Sequence, residues 1–138
     1  MIRSGSIFVG LLCMALAGCV DGQSLPAPLE RTDAGAIRDP VSGAEIDMRL
    51  GETVDLLLTS NPTTGYFWYV TRNEGGTVVS VSDTYTADPA PEGLVGSGGV
   101  QLFIFEAVAI GDGDLTLSYQ RSEDDVADTI DLRITVSQ

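Results

Sequence analysis

The sequence predicts an all-β sandwich, and three observations predict it. Apolar residues recur with period two from about Ala44 onward. Clusters of Gly, Pro, Asn, Asp and Ser interrupt that alternation at short intervals. Beyond the first eighteen residues no stretch sustains a helical period. About seven strand candidates within about 95 residues match an immunoglobulin-like β-sandwich in size and spacing, with a small barrel as the alternative.

The elements follow in order. Ile46, Met48 and Leu50 alternate with Asp47 and Arg49. Val54, Leu56 and Leu58 alternate with Asp55 and Thr59, while Leu57 faces the second side. Residues 66–71, 77–84, 100–109 and 114–121 are rich in Val, Ile, Thr, Tyr and Phe, the residues that fit a pleated, half-buried surface. The C-terminal segment is the clearest: Ile130, Leu132, Ile134 and Val136 point one way, and Thr129, Asp131, Arg133 and Thr135 the other. Turns are expected at residues 51–52, 61–65, 73–76, 111–113 and 122–125.

Ahead of these strands lies a segment of different character. Arg3 is followed by an apolar run from Ile7 to Leu16, too short to span a bilayer, which needs ~20 residues. A basic start, an apolar centre and a small-residue exit describe a secretory signal. The exit, Leu16-Ala17-Gly18-Cys19, resembles the lipobox of bacterial lipoproteins. That resemblance implies cleavage before Cys19 and acylation of its sulfur, hence a lipid anchor in the membrane of the cell envelope. Val20, where inner-membrane lipoproteins tend to carry Asp, leans toward the outer membrane. The expected organisation is a leader over residues 1–18, the lipidated Cys19 with a flexible tether over 19–43, and a domain over 44–138. The tether reading rests on Pro26, Pro28 and Pro40 and the lack of apolar periodicity.

Charge excludes several functions. Twenty Asp and Glu oppose seven basic residues, all Arg, and there is no His; the formal charge is -13. Without Lys or His the chain cannot build a Ser-His-Asp or Cys-His site, a Schiff base or a P-loop. So acidic a surface is wrong for a nucleic-acid backbone. An enzyme is not expected, and neither is a cofactor. Residues 111–114 and 123–125 hold too few oxygen ligands in register for a calcium loop, so no metal is expected.

One segment carries more information than the rest: Asn61-Pro62-Thr63-Thr64-Gly65-Tyr66-Phe67-Trp68. Pro62 fixes φ, Gly65 permits positive φ, and Asn61 can bond its own backbone two residues on. Thr63 and Thr64 place hydroxyls at the tip, and the turn feeds a core strand with Trp68 as its central aromatic. The run resembles the signature of chagasin-like inhibitors of papain-like cysteine proteases, an Asn-Pro-Thr-Thr-Gly run, an aromatic, any residue, then Trp. A second marker of that family, Gly-X-Gly-Gly, is matched by Gly96-Ser97-Gly98-Gly99 ahead of a long strand. A third, Arg-Pro-Trp, is matched only at Arg121; Ser122 and Glu123 replace the proline and tryptophan.

The resemblance covers about Ala44 to Gln138. It implies an immunoglobulin-like sandwich whose three loops block a protease cleft reversibly and non-covalently. The implied contacts are Asn61, Pro62, Thr63, Thr64, Gly65, Tyr66, Gly96, Ser97, Gly98, Gly99 and Arg121, with a papain-like cysteine protease as partner and the inhibitor a monomer. Sandwiches host many functions, so an adhesion or protein-binding envelope module is the alternative.

Overall fold

The structure, a computed structural model, describes residues 35–93 and 96–138. The leader, Cys19 and most of the expected tether lie outside the described residues, as do Leu94 and Val95. The described chain is a two-sheet sandwich. Its strands are β1 (Ile37–Arg38), β2 (Ala44–Arg49), β3 (Thr53–Ser60), β4 (Phe67–Glu74), β5 (Val78–Ala87), β6 (Gly99–Ala107), β7 (Gly111–Ser122) and β8 (Asp125–Ser137). A 3-10 turn, Pro62–Thr64, lies between β3 and β4. One sheet has the order β1-β3-β6-β5 and the other β2-β8-β7-β4.

Period-two alternation becomes the core. Ile46 and Met48 on β2, Leu56 and Leu58 on β3, Phe103 and Phe105 on β6, Leu115 and Leu117 on β7, and Ile130, Leu132, Ile134 and Val136 on β8 all turn inward. Removing these side chains from water is the main favourable term of folding, at ~25 cal/mol per Å² of apolar surface. The stacked rings of Phe103 and Phe105, with centroids 6.1 Å apart, fill the middle of the core.

Three sequence expectations are corrected. The spacer does not extend to Gly43. Ile37 is fully buried, and β1 pairs parallel with β3 through Ile37–Leu56 and Arg38–Leu57. A strand of two residues is too short to show a period, which is why composition hid it. Leu50 does not continue the inward face of β2; the chain turns there and leaves it 49% exposed. Residues 111–113 are not a turn but the start of β7. Gly113 sits in a strand because a Cβ there would lie 2.7 Å from the Glu74 carbonyl oxygen and collide with Thr77.

The two sheets are tied together by a buried amide. Gln101 points inward from β6 at a position where its neighbours Phe103, Phe105 and Ala107 are apolar, and it is 4% exposed. Its carbonyl accepts the Trp68 N–H at 2.9 Å, and its amide donates to the Trp68 carbonyl and to Asp83 Oδ1, each at 2.9 Å. Trp68 belongs to β4, the edge of the opposite sheet. One side chain thus supplies the donor and acceptor that a further strand would have supplied to that edge.

Gln101→Leu keeps the volume but strands the Trp68 N–H and carbonyl. It is expected to lower unfolding free energy by about 2–3 kcal/mol. Urea denaturation followed by Trp68 fluorescence measures this, and a change within about 0.5 kcal/mol would show the latch to be dispensable.

Candidate functional site

β3, β5 and β7 all run toward the same pole, so the connections that follow them gather there. These are residues 61–66, residues 88–93 and 96–98, and the Glu123–Asp124 hairpin tip. Their proximity is direct. A Cβ built on Gly96 would lie 3.8 Å from Thr63 Oγ1, and one on Gly65 would lie 3.2 Å from Arg121 Cδ. All three segments that the sequence singled out therefore meet at one end.

The first loop is a 3-10 turn braced by its own hydrogen bonds. Thr64 N–H donates to the Asn61 carbonyl at 3.1 Å and Gly65 N–H to the Pro62 carbonyl at 2.9 Å. Pro62 opens the turn, where a missing N–H costs nothing. Gly65 closes it at φ 86°, a left-handed conformation that a side chain would strain. Both threonine hydroxyls are engaged within the turn. Thr63 Oγ1 donates to Asn61 Oδ1 at 2.5 Å, and Thr64 Oγ1 donates to the Asn61 carbonyl at 2.7 Å. The Asn61 side chain accepts from a hydroxyl and not from the backbone two residues on. Thr63, Thr64 and Gly65 are exposed, with the hydroxyl lone pairs left for donors on a partner.

The base of this loop is fixed from three sides. The Asn61 N–H donates to the Tyr119 hydroxyl at 2.8 Å. Trp68 Nε1 donates to the Thr59 carbonyl at 2.9 Å, and its ring packs 5.1 Å from Tyr119. Asp39, just past β1, accepts the Thr59 N–H at 2.6 Å and its hydroxyl at 2.8 Å. Asp39 does so at φ 40°, a left-handed conformation that Asp tolerates better than most residues.

The third loop is joined to the first through Asp125. Tyr66 donates its hydroxyl to Asp125 Oδ1 at 2.5 Å, and Arg121 Nε donates to Asp125 Oδ2 at 2.9 Å. The Arg121 guanidinium also lies 5.3 Å from the centre of the Tyr66 ring. The Tyr66 hydroxyl, and then Arg121, hold the Asp125 carboxyl below its ordinary value. The same hydrogen bond pushes the Tyr66 phenol above its own. Arg121 is thus an internal brace as well as a residue of the loop pole.

The glycine quartet divides. Gly96 is exposed at φ 99°, and Ser97 and Gly98 are half-buried, with a Cβ on Gly98 falling 3.4 Å from the Ser60 carbonyl oxygen. Gly99 is buried within β6, where a side chain would strike Tyr85 and Thr86. It makes room for the sheet and offers no surface to a partner.

Four supporting residues escaped the sequence reading as site residues: Asp39, Gln101, Tyr119 and Asp125. Gln101 carried a signal, a polar residue at an inward position of an apolar alternation. Tyr119 extends the inward face of Leu115 and Leu117 and was legible by period alone. Asp39 and Asp125 stand among other acids and are distinguished only by their partners.

Comparison with known proteins agrees with this geometry. Residues 47–137 match the chagasin family, described as peptidase inhibitor I42. Chagasin of Trypanosoma cruzi is 36% identical over 85 residues, which span 58% of this chain and 74% of chagasin. The crystal structure of the cysteine protease inhibitor EhICP2 from Entamoeba histolytica superposes with a TM-score of 0.63 at 20% identity, covering 72% of this chain and 92% of that one. PbICP-C, solved in complex with falcipain-2, shares the fold at a TM-score of 0.52 and 16% identity, with 74% of this chain and 98% of that one covered. With the signature loop folded as a rigid, exposed turn and most of the described sandwich inside the family match, the chain belongs to the chagasin family of cysteine protease inhibitors.

Proposed function

We propose that this inhibitor occludes the active-site cleft of a papain-like cysteine protease with its three-loop pole, reversibly and without a covalent bond. The observation that carries the reading is the exposed Pro62–Thr64 turn, held rigid by its own hydrogen bonds at the pole where the other two loops converge. A tip ordered before binding loses little conformational entropy on entering a cleft. Its backbone is wound into a 3-10 turn, so it offers no extended peptide for cleavage. Thr63 and Thr64 then sit beside the protease cysteine and histidine. The Gly96 segment approaches the partner backbone closely, and the hairpin at Arg121 flanks the cleft. None of these segments contains an activated nucleophile. That PbICP-C was solved with falcipain-2 bound supports a papain-like target.

The proposal extends to location. The apolar run ending in Leu16-Ala17-Gly18-Cys19 supports acylation at Cys19 and tethering to an envelope membrane, with Val20 favouring the outer one. Several acyl chains at ~0.8 kcal/mol per buried CH2 make a firm anchor.

Thr64→Arg places a long cation at the tip without disturbing the core. The inhibition constant against papain, read with a fluorogenic peptide, is expected to rise about 30-fold or more while the melting temperature holds. An unchanged constant would place the tip outside the cleft.

The brace between the first and third loops has a defined pH window. A carboxyl with a lowered pKa stabilises the folded state above its unfolded value of about 4, and loses that contribution as pH falls through the folded one. A phenol with a raised pKa stabilises below about 10 and loses that contribution as pH rises further. The brace therefore persists from mildly acidic to mildly alkaline pH. In an NMR titration the Asp125 carboxyl is expected to protonate below the ordinary aspartate value of about 4, with Tyr66 resonances moving in step. An Asp125 midpoint at or above that value would contradict the brace.

Cys19→Ser removes the acylated sulfur. The chain is expected to lose incorporation of labelled palmitate and to leave the membrane fraction; retention of both would refute the anchor.

A further inference from the structure

The pole opposite the inhibitory loops exposes three large apolar side chains on adjacent turns. Leu50, in the β2–β3 turn, is 49% exposed; Val108 and Ile110, in the β6–β7 turn, are 44% and 55% exposed. Backbone hydrogen bonds join these turns into one surface. Gly51 N–H donates to the Ala107 carbonyl, and Val108 N–H to the Thr77 carbonyl, each at 2.8 Å. The β4–β5 turn adds only Gly75 and Gly76. The acids beside these turns are exposed but engaged: Glu52 accepts the Arg49 N–H at 2.8 Å, Glu74 accepts the Arg72 guanidinium at 2.6 Å, and Asp112 accepts the Thr135 hydroxyl at 3.0 Å. At the loop pole Asp88, Glu92, Glu123 and Asp124 are exposed.

The chain enters the fold at the apolar pole. β3 starts there, at Thr53, and runs toward the loops. β1 is parallel to β3, with Ile37 opposite Leu56 and Arg38 opposite Leu57, so Gly35 lies on the apolar-pole side of β1. The connection back to Cys19 can span at most ~55 Å when fully extended.

We propose that the Leu50–Val108–Ile110 pole rests on the bilayer that holds the Cys19 lipid, so that the inhibitory loops point away from the membrane. This rests on the lipid anchor proposed above. The exposed apolar side chains gain by leaving water for the lipid interface. An anionic leaflet repels the acidic loop pole and attracts no competing basic patch. A strand of about ten residues lifts the loops roughly 30 Å from the surface, clear for a protease approaching from solution.

The test uses the full chain, processed and lipidated in cells. Loss of Cys13 with the leader and acylation of Cys19 leave an introduced cysteine as the sole free thiol. Ile110→Cys and Asp124→Cys are labelled with an environment-sensitive fluorophore. Each is reconstituted into vesicles of phosphatidylethanolamine and phosphatidylglycerol carrying nitroxide lipids. The label at 110 is expected to lose most of its fluorescence and the label at 124 little. Adding Leu50→Asp and Val108→Asp to the Ile110→Cys chain should restore the signal while the chain still floats with the vesicles. Papain inhibition by vesicle-bound chain should equal that in detergent. Flotation with equal quenching at both positions would overturn the orientation alone. A chain that neither floats nor shows the acyl mass on Cys19 would overturn the anchor and the orientation with it.

Discussion

The loop pole depends on a buried amide that belongs to neither loop nor cleft. β3 lies in one sheet and β4 in the other, so the Asn61–Tyr66 loop must bridge the two layers. Apolar packing holds the layers together but is non-directional, and does not alone fix how far one slides on the other. Gln101 does. It grips the Trp68 backbone from the opposite sheet, and Trp68 in turn donates its indole N–H to Thr59 on the strand that precedes the loop. Both ends of the loop are thereby set relative to each other before any side chain at the tip matters.

Within that frame the tip organises itself. The backbone N–H groups of Thr64 and Gly65 and the two threonine hydroxyls all find acceptors inside the turn, while Asn61 N–H is taken by Tyr119. These donors are spent inward, which leaves lone pairs of the two hydroxyls facing solvent. The same economy governs the third loop. Where the family signature carries a tryptophan, this chain carries acids, and Asp125 ties Arg121 and Tyr66 into one unit. Rigidity between loops is supplied here by a charge-assisted contact at the pole's edge.

Strand direction then separates the molecule into two ends. β3, β5 and β7 deliver their connections to the pole that holds the Asn61–Tyr66 turn, and β2, β4 and β6 deliver theirs to the pole that exposes Leu50, Val108 and Ile110. β1 brings the N-terminal connection in at the apolar end and leaves Asp39 beside Thr59, at the root of the inhibitory loop. The N-terminal connection and the Asn61–Tyr66 loop are thus linked by one short parallel pairing that lies ahead of the family match.

The sequence by itself determined the fold class and the inward residues of β2, β3 and β8, and it singled out the Asn61–Trp68 run. Period-two alternation and turn chemistry are local properties, and the Asn61–Trp68 run is contiguous. What only the tertiary structure decided were relations between residues far apart in the chain. β1 is too short to carry a period, and its burial comes from Leu56, nineteen positions later. Gly113 and Gly99 read as turn or contact glycines, but each is fixed by a neighbouring strand that leaves no space for a Cβ. Asp125 and Asp39 are indistinguishable from solvated acids until Tyr66, Arg121 and Thr59 are set beside them. A hydrogen-bonding group can be read from the chain, but its partner is chosen by how the sheets stack.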